Sequence, residues 1–276
     1  MTLAIEAPGS IGEALELLAA EPARLIVAGG TDLLPALNSG RLPPRPMLAL
    51  GRLREIDGAG RTADGGLFIG AGLTLARAQA MAAVLPALAR AASVGPPGVR
   101  TAATVGGNVV SARGGDLLPL LTVLDARVET DSVGGRRSTP IGAFLTAAGR
   151  ADGLSLCPGE LVVGMLLPAL PIDAQVERLV LPGNGSRAAL SLAVARFADE
   201  AGFRLAVQVG TGLPMRVAAA EEVVAGQFAR SGRGIDDVTV TGFAAAVAAA
   251  VDAGAYLRHA ASVCARRILS RMVGAG

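Results

Sequence analysis

The sequence contains no lysine: all 25 residues counted as Lys or Arg are Arg. The absence excludes enzymes that form a Schiff base through lysine, and P-loop nucleotidases, whose lysine must reach the transferred phosphate. There are also only two Cys and one His. Zinc sites, thiolate-bound iron–sulfur clusters and redox Cys-x-x-Cys motifs need more of these residues, or closer spacing, than Cys157, Cys264 and His259 provide. We therefore expect no catalytic side chain and no metal site, but a protein that binds a partner or borrows a cofactor.

Aromatic residues and net charge are low as well, with six Phe, one Tyr and a formal charge of +2. Nucleic-acid binding needs a clustered basic face with stacking aromatics, so we expect no nucleic-acid partner. The most apolar stretches, 161–172 and 242–251, are shorter than the ~20 residues of a membrane helix, and residues 1–8 lack the basic segment of an export signal. These features predict a cytoplasmic protein without an integral membrane segment, whose two cysteines are buried apolar residues.

Glycine and apolar residues are abundant, since 37 of 276 residues are Gly and 51% are hydrophobic. This length allows one large domain or two to three small ones. Changes in pattern along the chain predict three regions: an N-terminal β-α-β subdomain over 1–57, a central subdomain over 58–170 and a C-terminal domain over 171–276.

The first region has a helix start at Ser10, because Glu13 follows at the spacing of a capping box. The apolar run 25–27 ends abruptly at Gly29-Gly30, as a buried parallel strand would, and a second strand follows at 47–50. Helix and strands together predict a small β-α-β unit.

The central region combines strand and helix patterns. Residues 67–70 and 161–167 have the pattern of apolar strands, and 127–130 alternates like an exposed strand. Thr74 is a suitable cap for an Ala-rich helix that extends to Ala83. An apolar helix is predicted over 117–124.

The last region begins with a hairpin and ends in helix. Alternating stretches at 190–197 and 203–209 are joined by a turn, which is a hairpin signal. The tail over 242–272 follows a helical pattern, with apolar positions on one side and arginines on the other.

Two glycine turns are the most informative motifs, at Gly29-Gly30 and at Gly106-Gly107. Each lies between a strand-like run and a helix-like run, and residues without Cβ let backbone N–H groups approach an anion closely. One such turn is commonly structural, but two in one chain could hold a diphosphate without any lysine.

Other candidates are weaker. Gly70 and Gly72 lack the third glycine and the later acidic residue of a dinucleotide fingerprint, which favours a structural turn. Asp116 could accept hydrogen bonds from sugar or ribityl hydroxyls, or could serve as a helix N-cap. Arg100 and Arg113 could neutralise a phosphate, although exposure is the ordinary role of an arginine.

Four ordered motifs resemble the FAD-binding medium subunit of the molybdenum hydroxylases (PCMH-type FAD binding). That family includes the flavoprotein subunit of carbon monoxide dehydrogenase and the flavin domain of xanthine dehydrogenase. The motifs are VAGGTDLLP at 27–35, IGAGLTL at 69–75, RTAATVGGN at 100–108 and PGELV at 158–162.

The resemblance implies an α+β fold in which FAD binds between two subdomains, followed by a C-terminal domain with a three-stranded antiparallel sheet and a helix bundle. By this resemblance the two glycine turns would contact FAD, Asp116 would meet ribityl or ribose hydroxyls, and the backbone at Val162 would meet the flavin ring. The residues implied at the turns are Val27, Ala28, Gly29, Gly30, Thr31, Asp32, Leu33, Ala103, Thr104, Val105, Gly106, Gly107 and Asn108.

The resemblance also implies a function. The chain would be the FAD-binding electron-transfer subunit of a three-subunit enzyme, with molybdopterin on a large partner and iron–sulfur clusters on a small one. The flavin would pass electrons to NAD, a quinone or oxygen. Two alternatives remain: a stand-alone or flavin-free binding module of the same fold, and an unrelated α/β nucleotide-binding enzyme that uses Gly70 and Gly72.

Overall fold

The computed structural model of the chain describes residues 4–93, 95–111, 115–146, 156–182, 188–198, 202–231 and 235–273. Three sheets organise these residues, a three-stranded, a five-stranded and a four-stranded one. Arg113 lies outside the described residues, so its predicted role stays a prediction.

The first sheet is parallel and small, with strand order β1-β3-β2. Ser10 caps the first helix as predicted, because its hydroxyl accepts a hydrogen bond from the Glu13 N–H at 3.2 Å. The Glu13 carboxylate in turn accepts from the Gly9 N–H at 2.7 Å, which closes the helix start. The elements are β1 (Ile5–Glu6), α1 (Ile11–Ala20), β2 (Leu25–Val27), α2 (Leu33–Asn38) and β3 (Met47–Ala49).

The second sheet is antiparallel, with strand order β4-β5-β8-β6-β7. Its strands are β4 (Ala59–Arg61), β5 (Leu67–Gly70), β6 (Arg127–Asp131), β7 (Arg137–Pro140) and β8 (Leu161–Leu167). Its helices are α3 (Leu75–Gln79), α4 (Pro86–Ala91), α5 (Pro97–Ala102), α6 (Val105–Val110), α7 (Leu118–Val123) and α8 (Ile141–Thr146).

Two expectations for this region were wrong in detail. The strand over 127–130 is present but is not an exposed strand, because β6 lies between β7 and β8 and buries Val128 and Thr130. The helix capped by Thr74 does not run unbroken to Ala83, since α3 ends at Gln79 and a 3₁₀ turn follows. The cap itself is present: the Thr74 hydroxyl accepts from the Arg77 N–H.

The third sheet is antiparallel, with strand order β12-β11-β10-β9. It contains the predicted hairpin of β10 (Ala188–Arg196) and β11 (Phe203–Val209), flanked by β9 (Asp173–Val180) and the two-residue β12 (Met215–Arg216). The short β12 makes four strands where three were expected. The tail divides into separate helices, because α10 ends at Ala250 and four non-helical residues precede α11. The helices are α9 (Ala218–Ser231), α10 (Asp237–Ala250) and α11 (Ala255–Val273).

A continuous apolar core joins the second and third sheets. Helix α7 packs against β10 and β11, and α4 packs against β9. Both helices share one apolar cluster with strands of the second sheet. Every residue of α7 is buried. On the other face of the third sheet, α9, α10 and α11 enclose a separate core.

Among the helices in the described ranges, none is long and apolar enough to cross a membrane.

Candidate functional site

A cleft of about 460 Å³ lies where the first and second sheets meet, beside the two glycine turns. Thirteen of the fifteen residues implied by the family motifs line it, and the other two, Val27 and Val105, do not. Those that line it are Ala28, Gly29, Gly30, Thr31, Asp32, Leu33, Ala103, Thr104, Gly106, Gly107, Asn108, Asp116 and Val162. The tertiary structure therefore brings together motifs that are up to 135 positions apart, from 27 to 162.

The first turn lines the cleft with Gly29, Gly30 and Thr31. Gly30 adopts a left-handed conformation (φ +68°), which favours glycine. Gly29 lies so close to the C-terminal end of α5 that a Cβ there would be 2.0 Å from the Ala102 carbonyl oxygen. Within the part of the chain that the structure describes, the N–H groups of Gly29, Gly30 and Thr31 donate to no protein acceptor. An anion bound in the cleft can satisfy such donors.

The second turn has a different hydrogen-bond state. The Gly106 N–H donates to the Ala71 carbonyl at 2.8 Å, and the Val105 N–H donates to the Leu73 carbonyl at 2.9 Å. The Gly107 N–H donates to the hydroxyl of Thr104, which is the N-cap of α6. These amides already have protein acceptors, which the sequence did not predict. The second turn therefore lines the cleft, but its N–H groups are not free to bind an anion.

The glycines of the second turn have separate roles. A Cβ on Gly106 would lie 2.6 Å from the Ala71 Cβ, so this glycine permits close packing of α6 on the loop after β5. A Cβ on Gly107 would meet only the Thr104 hydroxyl oxygen, at 3.1 Å. Gly107 lines the cleft. A side chain at position 107 would therefore occupy cleft space rather than disturb the backbone.

Asp116 reaches the cleft from the loop before α7. The residue that caps α7 is Leu117, without a side-chain hydrogen bond, so Asp116 is not the N-cap that the sequence allowed. The Leu117 N–H donates to the Asn108 side-chain oxygen at 3.0 Å, which ties this loop to the second turn. The Asp116 carboxylate accepts from the Arg178 guanidinium of β9 at 3.1 Å, a residue that sequence reasoning missed.

Val162 lies on β8 next to a β-bulge. On the partner strand, Glu129 pairs with Gly164 and Thr130 pairs with Val162, so Val163 is an extra residue on β8. Bulges bend a strand and redirect its side chains. The Val163 carbonyl accepts from the Ala71 N–H at 3.0 Å, which holds β8 to the loop after β5. The Ala71 carbonyl in turn accepts from the Gly106 N–H of the second turn.

A half-buried ion pair supports the start of β8. The Arg137 guanidinium donates two hydrogen bonds to the Glu160 carboxylate, at 2.9 and 2.6 Å, and the Cys157 N–H adds a third at 2.8 Å. Burial alone would raise the pKa of Glu160, but the hydrogen bonds and the charge of Arg137 outweigh it and lower that pKa below its usual value. The hydrogen bond to Glu160 raises the pKa of Arg137.

The remaining candidates do not converge on the cleft. The Gly70 N–H donates to the Gly58 carbonyl and the Gly72 N–H to the Ile56 carbonyl, and neither glycine lines the cleft. This hydrogen bonding agrees with a structural turn. Arg100 donates to the Gly95 carbonyl, and His259 is exposed on α11. Cys264 is buried as expected, but Cys157 is exposed, so the expectation was wrong for that cysteine. Among the described residues, no group of three or more His, Cys, Asp or Glu is placed to bind a metal ion.

Comparison with known proteins identifies the first two regions of the chain. Residues 2–170 match the family described as "FAD binding domain in molybdopterin dehydrogenase". A xanthine dehydrogenase FAD-binding subunit of Escherichia coli is 34% identical over 167 residues, which cover 59% of this chain and 56% of that protein. The nicotine 6-hydroxylase medium subunit of Paenarthrobacter nicotinovorans is 28% identical over 236 residues, covering 79% and 78%. The chain thus spans about half the length of the first curated relatives that it matches.

Solved structures share the fold of the whole chain. Quinoline 2-oxidoreductase from Pseudomonas putida 86 has a chain that superimposes with a TM-score of 0.85 at 22% identity, covering 100% of this chain and 98% of that one. A chain of carbon monoxide dehydrogenase from Hydrogenophaga pseudoflava gives 0.80 at 24% identity, covering 98% and 96%. These likenesses confirm the expected fold class. Because the family match covers more than half of the chain, the protein belongs to the family of FAD-binding domains of molybdopterin dehydrogenases, as its motifs predicted.

Proposed function

We propose that the cleft binds FAD and that the chain is the electron-transfer subunit of a molybdenum hydroxylase. The observation that carries this proposal is the convergence of both glycine turns, Asp116 and Val162 on one cleft. Its volume of about 460 Å³ lies in the range of ligand pockets, roughly 300–1,000 Å³. Bound FAD would supply the redox-active ring, while the protein supplies binding and orientation.

The donors of the cleft suit a diphosphate. The unpaired N–H groups of Gly29, Gly30 and Thr31 offer hydrogen bonds to phosphate oxygens without any lysine. The absence of a Cβ at Gly107 leaves room beside them. Asp116 is proposed to accept hydrogen bonds from ribityl or ribose hydroxyls. Val162 is proposed to support the flavin ring through its backbone. Val27 and Val105, which do not line the cleft, are proposed to support the two turns.

The partners follow from the family. We place molybdopterin on a large partner subunit, where substrate is oxidised, and iron–sulfur clusters on a small partner subunit, which passes electrons to this chain. NAD, a quinone or oxygen would then accept electrons. A cytoplasmic location and the domain limits 1–57, 58–170 and 171–276 belong to the same proposal, supported by the family match over 2–170.

Flavin uptake is the first test. The purified full-length chain, stripped of ligand and incubated with FAD, should retain flavin absorption after gel filtration. Gly107→Val should reduce retention strongly, because its side chain would fill the cleft, and Gly30→Val should do so by straining a left-handed residue. Gly98→Ala is the matched control, since a Cβ there has open space.

The outcomes separate the alternatives. A chain that takes up no FAD would be a flavin-free module of the same fold, and FAD binding would be wrong. Unchanged retention in both cleft variants would show that flavin binds elsewhere, as in a nucleotide-binding enzyme that uses Gly70 and Gly72. Partnership is tested by co-expressing the chain with candidate molybdopterin and iron–sulfur subunits from the same organism. Co-elution as one complex is expected, and separate elution would contradict the assembly.

A further inference from the structure

Strand β9 has two faces with different partners, which the alternation of its side chains explains. Ala174 and Val176 point toward the core that contains α7, and Arg178 follows on the same face by the period of two. Glu177 lies on the opposite face and pairs with Arg271 of α11. One strand therefore carries two ion pairs, one directed to the cleft side and one to the helix bundle.

The ion pair on the cleft side is well shielded from solvent. Arg178 Nη1 lies 3.1 Å from Asp116 Oδ1, and the two side chains are 18% and 17% exposed. A hydrogen bond between charged groups is stronger than a neutral one, and a half-buried pair is screened less than a surface pair. Arg178 therefore restricts where the Asp116 carboxylate can point.

The main chain around Asp116 is also tightly placed. A Cβ on the preceding Gly115 would lie 2.4 Å from the Asn108 carbonyl oxygen, so the loop is packed against the second glycine turn. The Asn108 side chain accepts from the Leu117 N–H on the other side of Asp116. The backbone is thus held at both sides of Asp116, and Arg178 is one of the groups that restrict rotation of its carboxylate.

We propose that Arg178 is a positioning residue that orients the Asp116 carboxylate for a hydroxyl of the bound cofactor and so couples the C-terminal sheet to FAD affinity. This inference rests on the proposed function, because it assumes FAD in the cleft. Arg178 itself does not line the cleft. It acts through Asp116, since a carboxylate already held in place loses less conformational freedom when a ligand hydroxyl binds.

A thermodynamic cycle on the full-length, flavin-stripped chain tests the coupling. The dissociation constants of FAD and of ADP are measured by calorimetry for the wild type, Arg178→Gln, Asp116→Asn and the double variant. Arg178→Gln should weaken FAD binding about tenfold, and the same change in the Asp116→Asn background should have little further effect. Arg178→Lys should restore part of the affinity. If only FAD binding weakens, Asp116 meets the ribityl chain; if ADP binding weakens equally, it meets the adenosine ribose.

A matched control distinguishes positioning from stability. Arg271→Gln removes the ion pair on the opposite face of the same strand and should leave FAD affinity unchanged. Thermal unfolding of the stripped proteins shows whether each variant is folded. An equal loss of affinity in Arg178→Gln and Arg271→Gln, or a loss that is undiminished in the Asp116→Asn background, would mean a merely structural role. If Arg178→Gln binds FAD with the same dissociation constant as the wild type, the positioning role of Arg178 is wrong, but the proposed function is not. A wild type that binds no FAD overturns it together with the proposed function.

Discussion

At the scale of single residues, the glycines of the two turns have distinct physical roles. Gly29 and Gly106 allow two backbone segments to approach closely, Gly30 permits a left-handed conformation, and Gly107 leaves cleft space open. The sequence predicted that both turns take part in ligand binding, but it assigned them one role, the presentation of N–H groups to an anion. Only the first turn has such groups without protein acceptors in the described residues.

Gly29→Ala should destabilise the fold and reduce FAD retention together. The new Cβ would lie 2.0 Å from the Ala102 carbonyl oxygen, so two backbone segments must separate. Overpacking of this kind costs about 1–3 kcal/mol of unfolding free energy. Chemical denaturation measures the loss. Gly98→Ala, in the nearby α5, is the control and should be close to neutral; equal stability of the two variants would contradict the contact.

Glu160→Gln should lower stability in a pH-dependent way. The folded-state pKa of Glu160 lies below its unfolded value of about 4.3, so its contribution is fully present above that value and is lost as the pH falls through the folded pKa. We expect a loss of about 1 kcal/mol near pH 7, since Arg137 is partly exposed.

Denaturant unfolding of wild type and Glu160→Gln at several pH values measures this difference. It should stay constant from about pH 6 to 8 and shrink below about pH 4.5. Glu16→Gln, at an exposed position of α1, should show no comparable change. A difference that persists undiminished at low pH would show that the packing of Glu160, not its charge, is responsible.

At the scale of elements, local signals predicted helix starts better than helix lengths. Ser10 and Thr74 cap helices where the sequence placed them, because a cap depends on neighbours within one turn. The position of β6 inside its sheet was missed, because strand order depends on partners distant in sequence. The break between α10 and α11 was missed as well, because apolar residues that face the same core continue on both sides of it.

Helix α7 is a fully buried element of the apolar core that joins the second and third sheets. It packs directly against β10 and β11. Leu121→Ala should cost about 2–5 kcal/mol of unfolding free energy, because Leu121 is fully buried and a cavity would remain. Val133→Ala, at a position that is 69% exposed, should change stability by less than about 0.5 kcal/mol. A small effect of Leu121→Ala in the same denaturation experiment would contradict this role of α7.

At the scale of the whole molecule, the apolar core continues across position 170. Ala174, Val176 and Phe197 of the C-terminal part belong to the same cluster as α4 and α7. Ion pairs cross as well, from Arg178 to Asp116 and from Arg204 to Asp125. A fragment of residues 1–170 would expose this apolar face to water.

We expect the fragment 1–170 to lack a cooperative thermal unfolding transition, whereas the full-length chain has one, since the exposed face cannot be buried. Co-expression with residues 171–276 should restore the transition if the two parts associate. Calorimetry of both preparations checks this expectation. A fragment that unfolds cooperatively by itself would show that the predicted boundary at 170 separates independent folding units.

The sequence by itself determined the family, the fold class and the four motifs that line the cleft, because short glycine turns, caps and alternation are local patterns. It also excluded lysine-dependent chemistry, since the residue is absent. Only the tertiary structure decided which backbone N–H groups have no protein acceptor, that β6 lies inside its sheet, and that Arg178 pairs with Asp116. Those features depend on contacts between residues as distant as 62 positions, which local patterns do not encode.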